Sequence, residues 1–405
     1  MRKLSFIIGL LFCANMMVFA QKTKVTSAVS FFTQGKLDRA KELIDEAIVH
    51  EKCVNYAKAY FVKGQIYQAL FESQDANYKK LSDNALQIAW DAYQQVIKLD
   101  EKKNFDEKLK VQYQNLSIDF TNQAIGYYNN KDFVAALANF EQVLAINASP
   151  HGTQIIDTVV IFNAGLCAQY AKDFAKAEKY YKQALSYNYE PSKTYAMVSN
   201  VLLYQSRVAQ ENGDEATAKA KQEEAITYLL KGIELFPENE YMLNELINFY
   251  LTGNEPEKAG PYLDAAIKVK PDEAQYYRNK GFLYEKMKKE EDAEKMYLKT
   301  LELDPNDFYA QYNLGNIHLN RVIKEHEKVM QIVDNNEYNK AMETIYDQYE
   351  SVIPYFERAL EINSTDRSTV TTLKELYYRL RERKGKPYKD FAKKYDDMMN
   401  LLQTL

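Results

Sequence analysis

Apolar residues recur along this chain at three- and four-residue spacing. In "QGKLDRAKELIDEAI" (Gln34–Ile48) an apolar stripe faces one side and charged residues face the other, the signature of an amphipathic helix. "NNKDFVAALANFEQVLAIN" (Asn129–Asn147), "AKDFAKAEKYYKQALSYN" (Ala171–Asn188) and "ALQIAWDAYQQVIKLD" around Trp90 repeat the pattern, with Ala40, Ala136 and Ala177 at a shared small position. Extra residues around Glu72–Asn84 precede the Trp90 helix, and a lengthened helix over Ser192–Gln210 ends at an Asn212-Gly213 turn. The chain has only 13 Gly and 9 Pro, which suits long helices and disfavours a turn-rich β fold.

The pattern is also periodic at long range. "IELFPENEYMLNELINF" (Ile233–Phe249) and "LELDPNDFYAQYNLGNI" (Leu301–Ile317) share one grammar, and Pro237, Pro271 and Pro305 stand 34 residues apart. Ala225, Ala259 and Ala293 keep the same interval, as do Leu229, Leu263 and Tyr297. In the clearest unit, Ala274–Asp307, Gly281 and Tyr284 lie on a first helix, and Ala293, Tyr297 and Pro305 on a second helix and its exit. Small residues let two helix axes approach within ~8–10 Å. The aromatic residues fill the space beside that approach, and the proline ends the unit, since it cannot donate a backbone hydrogen bond and pushes Asp304 away from helix.

A 34-residue period with these residues resembles the tetratricopeptide repeat. The resemblance implies an all-α, α-α superhelical solenoid of about eight helix-turn-helix units with a C-terminal helical cap. Each unit buries its stripe only by stacking on its neighbours. The last full unit departs most: 33 residues, 319–351, separate "FYAQYNLGNIH" from "VIPYFERALEIN", so Leu319–Tyr349 is expected to extend the helices, with a kink at Pro354. "STVTTLKELYYRLRERKG" and "KPYKDFAKKYDDMMNLLQTL" form a closing pair broken at Gly385. The expected division is 1–20 signal peptide, 21–365 solenoid and 366–405 capping pair.

Charge and composition change the picture mainly at the N-terminus. Arg2 and Lys3 precede an apolar run, Leu4–Ala20, and Val18-Phe19-Ala20 offers a cleavage site with Gln21 as the mature start. Phe12 before Cys13 argues against lipidation. The expectation is a periplasmic or secreted protein with no stable membrane span after cleavage. Losing Arg2 and Lys3 leaves 50 basic and 57 acidic residues, net −7, and the only basic run is Arg379–Lys386, which argues against nucleic-acid partners. Cys53 and Cys167 are read as two buried thiols.

No sequence motif specifies a reaction. The chain has no Gly-rich phosphate loop, His-Glu-x-x-His, Cys-x-x-Cys or Gly-x-Ser-x-Gly. His318 and His326 are eight residues apart, too far along a helix to share a metal from adjacent turns. The expectation is a non-catalytic chain without cofactor or metal.

In the family it resembles, first helices line a concave groove for a partner segment. The resemblance maps that groove onto Tyr241, Asn244 and Asn248, then Gln275, Arg278 and Phe282, then Tyr309, Tyr312 and Asn316. Aromatic and amide side chains suit a peptide partner. Some family members clamp a C-terminal carboxylate with three cations and two asparagines. Here Asn248 and Asn279 match the asparagines, but Asn244, Tyr309 and Asn313 occupy the cationic places, so the charge-assisted clamp is absent. The expected function is a protein-interaction scaffold or assembly factor of the cell envelope. Its rivals are a self-associating envelope protein using Leu319–Tyr349, and a glycan-binding or glycan-cleaving helical protein, the latter disfavoured by the single Trp90.

Overall fold

A computed structural model describes residues 22–51, 53–381 and 388–404. The N-terminal run expected to direct export, Cys13 within it and Gly385 lie outside these described residues. Every regular element among them is helical. Two compact units are formed, one ending at Ala225 and the other beginning at Ile226.

The first unit contains α1 (22–33), α2 (Leu37–Ile48), α3 (Ala57–Glu72), the short α4 (Ala76–Lys79), α5 (Ala85–Leu99), α6 (Asp106–Asn129), α7 (Phe133–Ala148), α8 (Thr158–Tyr170), α9 (Phe174–Ser186) and α10 (Pro191–Glu211). The boundary falls within α11 (Glu215–Leu235). The second unit continues with α12 (Glu240–Thr252), a 3-10 turn at Pro256–Ala259, α13 (Gly260–Val269), α14 (Ala274–Lys286), α15 (Glu290–Leu303), α16 (Phe308–Val329), α17 (Asn335–Ile362), α18 (Arg367–Leu380) and α19 (Tyr388–Thr404). Successive helices pair as hairpins, for example α6 with α7, α8 with α9 and α14 with α15. The fold is all-α and of the helix-turn-helix solenoid class.

Local chemistry explains where helices start and stop. Asp132, Asp157, Asp173, Asp307 and Asp366 each accept a backbone N–H from three residues ahead, capping α7, α8, α9, α16 and α18. Such caps are each worth about 1 kcal/mol. The turn inside a hairpin is made the same way five times, with a left-handed residue at Gly35, Lys131, Lys172, Gly213 or Lys288. In each turn the residue after it donates its N–H to the carbonyl five residues back, as Asp173 does to Ala168 and Lys289 to Tyr284, closing a Schellman motif. At the other junction, Asp304 before Pro305 adopts φ −134°, ψ 95° and ends α15, as the proline requires.

Inside a hairpin, a first-helix glycine lies beneath a second-helix aromatic ring. A Cβ on Gly281 would sit 2.6 Å from the Tyr297 ring, one on Gly165 2.8 Å from Tyr181 and one on Gly315 3.0 Å from Phe356; Gly64 lies beneath Tyr93 in the same manner. Sequence spacing suggests that Gly281 faces Ala293. The structure places Tyr297 over Gly281, and Ala293, fully buried, lies in one cluster with Tyr297 of its own helix and Ala310 and Leu314 of the next first helix. The glycine therefore makes room for a ring within the unit.

The glycine and its ring are 16 residues apart in α8–α9 and α14–α15. In α3–α5 the interval is 29, 13 more, which matches the extra segment 72–84 containing α4. In α16–α17 it is 41, 25 more, which matches the expected extension. Both insertions leave the crossing intact. α17 runs unbroken from Asn335 to Ile362 through Pro354.

Candidate functional site

The first helices of the second unit carry the groove residues that the resemblance maps. On α12, Tyr241 and Asn244 are half-buried and Asn248 is exposed. On α14, Gln275 and Phe282 are exposed and Arg278 is half-buried, with Lys286 Nζ 5.1 Å from the centre of the Phe282 ring. On α16, Tyr309 is 59% exposed, whereas Tyr312 and Asn316 are half-buried.

Two of these helices are brought together through Arg278. Its guanidinium donates to Asp307 Oδ2 at 2.6 Å and lies 5.5 Å from the Tyr309 ring centre. Asp307 is itself nearly buried and holds the N-terminus of α16 with its other oxygen. One carboxylate thus fixes both the start of a helix and the cation of its neighbour. Sequence reasoning missed Asp307 as a site-forming residue; its place just before a helix is the signal that could have found it. Tyr312 has a different role. It stacks on Phe308 and meets Phe356 edge-on at 5.7 Å, so its ring belongs largely to the packing beneath the face.

A family profile described as "Tetratricopeptide repeat" matches residues 160–191 and 274–307, and a second profile of that description matches residues 296–343. The first two spans contain the α8–α9 hairpin with Gly165 and Tyr181 and the α14–α15 hairpin with Gly281 and Tyr297. The chain is a tetratricopeptide-repeat protein.

Solved structures similar to this repeat protein include the C-terminal part of a tetratricopeptide-repeat protein from Cytophaga hutchinsonii (14% identity, 70% of this chain and 95% of that one, TM-score 0.42). A tetratricopeptide-repeat protein from Parabacteroides merdae is 10% identical, covering 70% of this chain and 99% of that one at TM-score 0.38. YrrB, described as a repeat protein with an unusual peptide-binding site, is 18% identical over 52% of this chain and 96% of its own, at TM-score 0.36. Comparison with curated proteins gives no match. At the coarse level, the tetratricopeptide-repeat architecture makes the protein a protein-interaction scaffold.

A second set of polar residues links first helices from beneath. The hydroxyl of the covering tyrosine returns to the residue four after the glycine: Tyr181 donates to Gln169 Oε1 at 2.8 Å, Tyr93 to Gln68 Oε1 at 3.2 Å, and Tyr297 to Glu285. These residues or their tyrosines then reach the following first helix. Gln169 donates to Asn200 at 2.9 Å, Gln68 to Asp119 at 2.7 Å, and Asn313 to the Tyr297 hydroxyl at 3.1 Å. Asp119 is the most perturbed carboxyl of the set. Burial pushes its pKa up to about 7, aided by the adjacent Glu72 carboxylate and opposed by the Gln68 hydrogen bond.

The histidines of the repeat protein are engaged separately. His318 stacks on Tyr355 and lies 3.4 Å from Glu294, while His326 Nδ1 is 3.0 Å from the Tyr349 hydroxyl. Among the described residues no group of three or more His, Cys, Asp and Glu is arranged to hold a metal, and no helix is long and apolar enough to cross a membrane. Cys53 and Cys167 are buried free thiols, and burial raises the pKa of both.

Proposed function

We propose that this tetratricopeptide-repeat protein holds a segment of a partner polypeptide against α12, α14 and α16. Phe282 and Tyr309 serve as apolar anchors, and Asn248, Gln275 and Asn316 offer amides to the partner's backbone. The observation that carries this reading is the Arg278–Asp307–Tyr309 contact. It holds an exposed aromatic ring in a fixed place on the first-helix face, and rigid aromatics contribute disproportionately to binding. No catalytic residue enters the reading. The N-terminal segment supports action in the periplasm or outside the cell, after cleavage behind Ala20; intact mass of the exported protein should then correspond to a chain beginning at Gln21.

The groove is tested by selecting peptides from a displayed library on the immobilised protein, then measuring their affinity for Phe282→Ala/Tyr309→Ala. Loss of about 2 kcal/mol or more is expected, with the unfolding midpoint less affected because neither ring is buried. Equal affinity for the double variant would remove the groove assignment. Tyr312→Ala is unsuited to this comparison, since it also strips packing from Phe356.

A second reading is self-association through the α16–α17 extension. At its tip Met330 is 61% and Val333 95% exposed. Sedimentation velocity would show concentration-dependent oligomers that vanish in Met330→Ser/Val333→Ser.

A further inference from the structure

Ser364 stands where the three preceding unit boundaries carry proline. Pro237, Pro271 and Pro305 follow Leu229, Leu263 and Tyr297 by eight residues each, and eight residues after Phe356 the chain has Ser364. Asn363-Ser364-Thr365 therefore corresponds to Asp304-Pro305-Asn306. It lies between helices, because α17 ends at Ile362 and α18 begins at Arg367. Asn363 adopts φ −130°, ψ 87°, nearly the backbone of Asp304 before its proline. Here the side chain holds the turn: Asn363 Oδ1 accepts the Thr365 N–H at 3.3 Å and the Thr365 hydroxyl at 3.0 Å. Asn363 is half-buried, and Ser364 and Thr365 are exposed.

Asn-x-Ser/Thr, with any residue but proline at x, is the acceptor triplet for N-linked glycosylation. Serine in place of the boundary proline is what makes this junction such a triplet. The chain has two others, Asn115-Leu116-Ser117 and Asn147-Ala148-Ser149, and the fold uses both in packing. The first lies wholly inside α6, and its Ser117 hydroxyl donates to Asn147 at 2.9 Å. In the second, Asn147 is only 7% exposed near the end of α7, and the Ser149 hydroxyl donates to the Ile146 carbonyl at 2.6 Å. A modifying enzyme needs its target outside regular structure and open to solvent. Of the three asparagines, Asn363 alone stands outside a helix, with the hydroxyl of its own triplet hydrogen-bonded to its carboxamide.

We infer that Asn363 is an acceptor for an N-linked glycan. In the step, Asn363 Nδ2 bonds to the anomeric carbon of a sugar. The bond from that carbon to a polyprenyl diphosphate breaks, and the diphosphate leaves with the electron pair. The displaced Nδ2 proton passes to a base of the transferase, which acts in trans. Both hydrogen bonds from Thr365 fall on the carboxamide oxygen, so the Nδ2 hydrogens stay unspent within the triplet. Donors on that oxygen favour the form in which negative charge gathers there as Nδ2 loses its proton. The donor and the transferase bring the chemistry, and this chain brings an acceptor held in shape between two helices.

The test incubates the whole folded protein with a purified oligosaccharyltransferase and a polyprenyl-diphosphate-linked oligosaccharide, read by intact mass and tandem mass spectrometry. The expected result is one glycan per chain, on Asn363, with Asn115 and Asn147 unmodified. Asn363→Gln and Thr365→Ala should abolish it. Ser364→Pro should abolish it too while keeping the unfolding midpoint, since it restores the residue that three other boundaries carry. No glycan on Asn363 would overturn the proposal. So would equal modification of Ser364→Pro, or modification of Asn115 or Asn147 in its place. A synthetic peptide of residues 355–372 checks presentation: if it is modified and the folded protein is not, the junction hides the triplet and the proposal fails. The protein is purified throughout and Asn363 is outside the groove set, so the outcome depends neither on export nor on peptide binding.

Discussion

Gly281 and Gly126 are both helical glycines, yet the same substitution should act on them in opposite directions. Alanine is better than glycine in a helix by about 1 kcal/mol. At Gly126 a new Cβ would meet nothing within 4 Å, so Gly126→Ala should stabilise by up to about that amount. At Gly281 the Cβ would press into the Tyr297 ring, and overpacking costs ~1–3 kcal/mol, so Gly281→Ala should destabilise. Urea unfolding of the two variants checks the signs. Asp119 carries a pH dependence at the same scale. Its folded pKa is raised to about 7, so the folded state holds a proton that the unfolded chain releases near pH 4. Stability therefore falls as pH rises through that window, with the loss complete above about 7. Asp119→Asn keeps an acceptor for Gln68 and should flatten the decline of unfolding midpoint between pH 5 and pH 8. An unaltered pH profile would show that Asp119 titrates normally.

At the scale of the helical hairpin, glycine, ring and acceptor form one device. Where the ring is tyrosine, the residue four after the glycine is Gln68, Gln169 or Glu285. Where it is Phe356, the corresponding residue is Leu319, which packs against the same cluster. The device can be transplanted. Phe356→Tyr alone should cost about 1–3 kcal/mol by burying an unpaired hydroxyl, and Leu319→Gln added to it should recover part of that loss. A double-mutant cycle with no coupling would contradict the transfer. This device was only partly legible beforehand. The 34-residue interval exposed the small and aromatic positions, but the hydrogen bond between them depends on where a ring points after packing. The hairpin turns are similar: Gly35 and Gly213 announce a left-handed residue, whereas Lys131, Lys172 and Lys288 adopt it without any such signal. A closing pair of hydrogen bonds holds lysine where its own preference would not.

For the molecule as a whole, each stack must end on a pair whose outer face meets water. In the second unit α18 contributes Leu373, Leu376, Tyr377 and Leu380 to the cluster that buries Val352, Ile353 and Phe356 of α17. Deleting residues 366–405 should therefore uncover an apolar face, lower the unfolding midpoint and promote aggregation, measured by calorimetry and light scattering. A truncated chain that melts at the same temperature and stays monomeric would show that the pair is dispensable. The candidate groove was less legible than the fold. Tyr309 and Phe282 are exposed as the repeat register implies, but Tyr312 is drawn into packing with Phe356, a partner supplied from beyond the 25-residue extension.

By itself the sequence determined the helices, their pairing in units and the points where units end, because apolar period, small residues and proline act through neighbours a few positions away. Tertiary structure decided which ring covers which glycine and which carboxylate holds Arg278. Those outcomes depend on how stacked helices divide a shared volume, and that is settled only when side chains distant in the chain compete for the same space.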